Sequence, residues 1–168
     1  MIDSFKYLPR VIAALYSMTE REPEHPVPWT PLAKPLADAR FALITTGGLY
    51  LDGEQRPFDM AREKAEPTWG DPTFRAIPSD TSQDSLAASH LHINTEYVLE
   101  DVNVLLPLNR FQELVAAGKV GSLAPTAYSF MGFQGFPPDT DVWVNEAVPQ
   151  VVAQLQQEQV DCVLLTPA

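Results

Sequence analysis

Apolar positions recur at three- and four-residue spacings through Phe5, Leu8, Ile12, Leu15 and Tyr16, which predicts a short amphipathic helix interrupted near its start by Pro9. Prolines at 23, 26, 28, 31 and 35 follow. Each removes a backbone donor and biases the residue before it away from helix, so residues 1–35 read as a helix and a proline-rich arm. Phe41 to Thr46 (FALITT) is continuously apolar and β-branched and stops at Gly47-Gly48, the profile of a strand buried on both faces of a parallel sheet. Residues 52–85 are polar, carry Pro57, Pro67, Pro72 and Pro78, and hold neither period for long, which predicts a long irregular excursion.

Ser89 to Ile93 and Val102 to Leu106 read as short strands, separated by a helical turn, Thr95 to Leu99, that Asn94 or Thr95 opens. Asn109 is expected to cap a helix over 110–117, with Gly118 closing it. The segment from Gly121 to Gly135, with Tyr128, Phe130 and Phe133 among glycine and proline breakers, reads with the following Phe136 as an aromatic-anchored loop. Asp139 to Asp141 supply a helix start, and Val142, Val144, Val148, Val151, Val152 and Leu155 its apolar face, with Pro149 kinking that helix or beginning a second. Val160 to Thr166 repeats the shape of the first strand. Strands alternating with helices across short joins predict an α/β domain over residues 36–168, an open, mostly parallel sheet with flanking helices, expected to be the incomplete N-terminal part of a longer domain.

The 168 residues contain 11 Lys plus Arg against 22 Asp plus Glu, a formal net charge of -11. That balance excludes nucleic acid and anionic membranes as expected partners. The longest apolar run, Val102 to Leu108, includes Asn103 and Pro107, far short of the ~18 residues of a membrane span. The N-terminus has Asp3 near its start and no cleavage-site pattern, so no secretory signal is read there. A single cysteine, Cys162, allows neither an internal disulfide nor a Cys-rich zinc framework, and the expected compartment is the cytoplasm.

In an open α/β sheet, ligands meet the chain beyond the carboxyl ends of the strands. Gly47-Gly48 stands at such an end, with Thr45 and Thr46 adding hydroxyls; these glycines are free to expose amides to a carboxylate or phosphate, although a tight turn without ligand explains them too. His90 and His92 are two residues apart, so on a strand both rings share a face, a start for a metal pair or for binding a substrate. No third ligand is evident nearby, and hydrogen bonds to backbone or substrate are the simpler reading. Asp59, Asp71 and Asp80, each close to a proline, read as turn caps. Cys162, inside an apolar strand, reads as an inert core thiol.

The segments FALITTGG, GDPTFRAIPSD, SHLHINTEYVLEDVNVLLPL, GSLAPTAYSFMGF and DCVLLTP, in this order from Phe41 to Ala168, resemble the selenoprotein B family of glycine, sarcosine, betaine and D-proline reductases. The resemblance implies a subunit of a reductase complex that reductively cleaves the C–N bond of one of these substrates. It carries Thr45, Thr46, Gly47, Gly48, Ser89, His90, His92 and Asn103 over as substrate-binding residues, and it assigns no catalytic or metal-ligating residue within 1–168. It further implies a selenocysteine nucleophile soon after the strand DCVLLTP, beyond Ala168, and a pyruvoyl group on a partner subunit. Because selenocysteine is encoded by a codon otherwise read as stop, the 168 residues are expected to be the part of a longer selenoprotein that precedes that codon, inactive alone. The alternatives are a short non-catalytic binding or assembly subunit and a small metal-binding domain around the two histidines.

Overall fold

The computed structural model describes residues 9–11, 14 and 30–168. Most of the predicted helix over 5–16 and much of the proline-rich arm fall outside the described residues. Leu32–Ala168 form one compact unit.

At its centre is β1 (Arg40–Thr45), in which Ala42, Leu43 and Thr45 have no exposed surface. Along one edge β1 pairs in parallel with β7 (Cys162–Thr166), Phe41 opposite Cys162 through to Thr45 opposite Thr166. Its other edge takes β5 (Ser122–Leu123) and then β6 (Thr126–Phe130), also parallel, with the break at Ala124-Pro125. Antiparallel to β6 runs β3 (Phe74–Pro78). A separate antiparallel pair joins β2 (Leu49–Leu51) to β4 (Leu86–Ala88).

Because alternate side chains of a strand face opposite ways, β1 feeds two cores. Leu43 packs with Ile77, Ala127, Val98, Val102, Leu106 and Leu108 under α2 (Thr95–Glu100) and α3 (Leu108–Ala116). On the opposite face Ile44 and Phe74 pack against Tyr128, Phe130 and Val151, the last from α4 (Val148–Gln157). The result is the expected α/β class, an open and mostly parallel sheet with helices flanking it. Full burial of a leucine such as Leu43 contributes about 1.5–3 kcal/mol relative to leaving it in water.

Several local expectations are corrected. The aromatic segment 121–135 is not a loop throughout: it contains β6, sandwiched between β1 and β3 with Ala127, Tyr128, Ser129 and Phe130 all buried. Burial on both faces erases the period-two alternation that marks a strand. The excursion 52–85 likewise contains ordered elements, α1 (Met60–Ala65) and β3; Asp59 caps α1 through a bond from the Arg62 amide. The strand expected over Val102 to Leu106 is replaced by a 3-10 turn, Val102–Val104. Val102 and Leu106 are buried while Val104 is 59% exposed, a helical spacing, and the Asp101 carboxylate accepts the Asn103 amide in place of a sheet partner. The strand expected at 89–93 lies earlier, at β4, and His90 and His92 stand on the bend after it.

The helix expected to follow Asn109 starts at Leu108, and its exposed amides are met from upstream: Asn103 Oδ1 accepts from the backbone of Asn109 and Arg110. Gly118 closes it at φ 63°. Pro149 sits in the first turn of α4, preceded by a π-helical stretch, Trp143–Ala147. Finally, β7 is not buried on both faces as β1 is: Val163 and Leu165 are exposed on this edge strand.

Candidate functional site

The carboxyl ends of β1, β6 and β7 converge, and the turns leaving them are fastened to one another. Thr45 Oγ1 donates to the Thr166 carbonyl at 3.1 Å and accepts from the Gly47 amide at 3.1 Å. Thr46 Oγ1 accepts from the Ala168 amide at 2.8 Å, so the chain emerging from β7 is held against the end of β1. Gly48 adopts φ 66°, and a Cβ there would stand 2.2 Å from the Ser89 carbonyl oxygen, so only glycine fits. Its amide donates to the Phe130 carbonyl, and its carbonyl accepts from the Ser89 amide. Both glycine amides are therefore engaged within the protein, and the tight-turn reading accounts for Gly47-Gly48. A Cβ on Gly132 would stand 2.9 Å from the Ala168 oxygen, which places the 131–135 turn against the same exit.

His90 and His92 border this edge. His90 is 5% exposed, and its Nδ1 accepts from the backbone amide of His92 at 3.1 Å. An imidazole accepting at Nδ1 carries its proton on Nε2, and this Nε2 is buried without a partner. Burial first, and the neighbouring His92 second, hold His90 below the ordinary imidazole value. The two rings meet edge-on with centroids 5.8 Å apart, and the ring of Phe133 lies 4.5 Å from His92. His92 Nε2 in turn lies 2.7 Å from Oε1 of Glu63. Glu63 comes from α1, its side chain is 2% exposed, and its Oε2 is buried without a partner.

Thr45, Thr46, Gly47, Gly48, Ser89, His90 and His92 thus share one edge with Ala168. Asn103 stands apart in its bonding: its side chain caps α3 and donates to Asp101. Glu63 escapes the sequence reading altogether. It pairs with a residue 29 positions away, and no periodicity or motif in its polar surroundings announces that partner. Asp71 does act as a turn cap, accepting from the Asp59 and Thr73 amides. Cys162 packs beside Phe41 in the sheet. Among the described residues no group of three or more His, Cys, Asp or Glu side chains is arranged to hold a metal ion, and no helix is long and apolar enough to cross a membrane.

A cavity of about 580 Å³ lies elsewhere, lined by Arg56, Arg62, Arg75, Trp69, Asp59 and Asp71 among others. Its cations are already spent. Arg75 donates to the carbonyls of Arg56, Pro57 and Phe74, and Arg62 pairs with Glu66 while lying 4.2 Å over the Trp69 ring. No sequence-predicted site residue lines it. The converging strand ends, with two buried polar atoms left unpaired, are the stronger candidate for chemistry.

A match to the family described as glycine/sarcosine/betaine reductase selenoprotein B covers residues 14–168. The chain is 35% identical over 141 residues to the D-proline reductase subunit gamma of Acetoanaerobium sticklandii, covering 84% of this chain and 53% of that protein. It is 27% identical over 140 residues to the glycine reductase complex component B subunit gamma of Carboxydothermus hydrogenoformans, covering 83% and 30% respectively. The chain therefore spans about half the length of the first relative and under a third of the second. No solved structure matches it. Taken over nearly its whole length, the chain belongs to the glycine/sarcosine/betaine reductase selenoprotein B family.

Proposed function

We propose that these residues form the N-terminal part of the B-type subunit of a cytoplasmic reductase complex that reductively cleaves the C–N bond of glycine, sarcosine, betaine or D-proline. In this reading the nucleophile is a selenocysteine beyond Ala168, and a pyruvoyl group belongs to a partner subunit. A selenol is more acidic and more polarisable than a thiol, so it supplies an ionised nucleophile at neutral pH. The observation that carries the reading is the exit of β7: the Ala168 amide is bound by Thr46 Oγ1 at 2.8 Å, at the converged strand ends and beside the 131–135 turn. A chain continuing from that point starts at the edge where parallel sheets place their chemistry.

The residues present suit such an exit. Thr46 and Gly132 fix the departing backbone, and Phe133 and Leu105 give the surroundings an apolar character. His90 Nε2–H and the His92 ring contribute hydrogen-bonding groups beside it. Cys162 does not substitute as nucleophile, because it is packed against Phe41 along β1.

The test is a dithiol-driven reductase assay with all four substrates, comparing residues 1–168 with the subunit translated through the expected selenocysteine codon, each combined with its partner subunits. The longer subunit is expected to support turnover and residues 1–168 to support none. Turnover by residues 1–168 would refute the placement of the nucleophile. Equal inactivity of both, together with stable incorporation into the complex, would favour the assembly role.

A further inference from the structure

The two faces of β7 are covered unequally. On one, Cys162 packs with Phe41, and Leu164 joins the core around Leu43. Side chains alternate along a strand, so Val163 and Leu165 point to the other face, the one that carries α4. Their partners in register are covered, Ala42 fully and Ile44 by packing with Val151, yet Leu165 is 66% exposed. Among the described residues β7 pairs with β1 alone, so its outer edge is open as well.

The same imbalance marks α4. Val151 faces the sheet, while Gln150 and Gln154 border a cavity with Phe74 and Ala76 of β3. Val148 and Val152 are each two residues from Gln150, roughly 200° around the helix, and so occupy the flank away from β3. The sheet runs β3, β6, β1, β7, which turns that flank toward β7. Val144, one turn before Val148, extends the row. All three valines are exposed, as are Val163 and Leu165 across from them. Natural proteins cover an open strand edge that is bordered by such an apolar patch.

The handedness of the sheet identifies the cover. β6, α4 and β7 form a parallel crossover that steps over β1. Such crossovers are right-handed in nearly all proteins, so two that step in the same direction lie on the same face of a sheet. A further strand can join this side only at the outer edge of β7. The connection that reaches it from β7 therefore crosses on the face of α4, which is the face left apolar. The relatives have chain to spare for it, since the matched regions are 53% and 30% of their lengths.

We propose that Val144, Val148, Val152, Val163 and Leu165 seat a crossover helix supplied by the same polypeptide beyond Ala168, packed beside α4 and leading to a strand parallel to β7. The proposal rests on the reading of residues 1–168 as the N-terminal part of a longer subunit. The five side chains offer no charge to pair, so the contacting stripe of that helix is apolar. The helix runs antiparallel to β7 and begins at the carboxyl edge, where Thr46 and Gly132 hold the exit.

The experiment uses the full-length subunit in its complex, produced with photo-leucine, whose diazirine inserts on irradiation into whatever touches it. From Leu165 the cross-link is expected to reach the same polypeptide after Ala168, at apolar residues spaced three and four apart. Mixing light and heavy isotope-labelled subunits is expected to give no mixed product. As a second readout, Leu165→Thr keeps strand propensity and costs little at a site left in water. Under a packed helix it is expected to lower the Tm of the full-length subunit by roughly 3 °C or more. A cross-link from Leu165 to a second copy or to another subunit, no cross-link from Leu165, or a Tm within about 1 °C of wild type overturns the proposal. Each of these leaves the reductase reading standing if the wild-type complex turns over substrate. A functional subunit that ends at Ala168 overturns the reading as an N-terminal part, and the proposal with it.

Discussion

Two regions of this molecule offer themselves as sites, and they differ in kind. The cavity beside α1 and β3 has volume, about 580 Å³, and three arginines, but its charges are already matched by carboxylates, carbonyls and a tryptophan face. The carboxyl edge of the sheet instead leaves Glu63 Oε2 and His90 Nε2 buried and unpaired. Unmatched buried polarity is expensive and space is not, so the first is the better guide to where chemistry is retained.

Substitutions can break this contrast. The largest effect is expected at Gly48→Ala, where a Cβ meets the Ser89 carbonyl at 2.2 Å and φ is 66°. Strain and clash together should cost about 3 kcal/mol or more. Thermal unfolding reads that as a fall in Tm of roughly 6–12 °C. A Tm within two degrees of wild type would mean that the edge is looser than described. At the cavity, Arg62→Ala should cost less than about 1 kcal/mol, because it removes only an exposed ion pair and a cation–π contact. Placed in the full-length subunit within its complex, Arg62→Ala should leave turnover within twofold of wild type, and a tenfold loss would move the site to the cavity.

A pH series sharpens the contrast at His90. Its folded pKa is depressed by burial, so below the unfolded value of ~6.5 the unfolded chain binds the proton more readily. The stabilisation is complete above that value and is lost as pH falls through it. Denaturant unfolding in the window from about pH 7.5 to 5.5 should show this loss in the wild type and a flatter profile in His90→Gln. Identical profiles would remove the buried-neutral description of His90. The smallest effect concerns Tyr128, whose phenol is pushed up to about 12 by burial and by the Glu158 carboxylate. In an alkaline absorbance titration one tyrosine, lost in Tyr128→Phe, should remain protonated at about pH 11, past the ordinary value of ~10. Ionisation of all tyrosines together near 10 would contradict that burial.

How much of this was readable beforehand depends on what each residue's partner is. β1, β7, the 108–116 helix and its Gly118 stop follow from runs and punctuation within a few residues, and they are found where local pattern puts them. β6 is hidden because both of its faces are buried, so Ser129 and Tyr128 sit inside with no alternation to mark them. β3 is hidden because Arg75 and Pro78 give it the look of a loop, although the Arg75 guanidinium is absorbed by backbone carbonyls. Val102 to Leu106 is short enough to fit either period, and Asp101 and Asn103 decide for a turn.

The site shows the same division. Thr45 through Gly48 are legible as the end of a buried strand, and the two histidines as a spaced pair. Their juxtaposition with Ala168 needs the parallel register of β1 and β7, which no single segment specifies. Glu63 is illegible because its meaning lies wholly in a contact made 29 residues away.

The central claim is that the nucleophile of the complex follows β7 at this edge. Mass spectrometry of the subunit isolated from its native source, alkylated at neutral pH and digested, tests it most directly. The account predicts a peptide that continues past Pro167 and Ala168 and carries an alkylated residue with the isotope pattern of selenium. A peptide that reads on from Ala168 through ordinary residues without selenium, or that ends in a free Ala168 carboxylate, would contradict it.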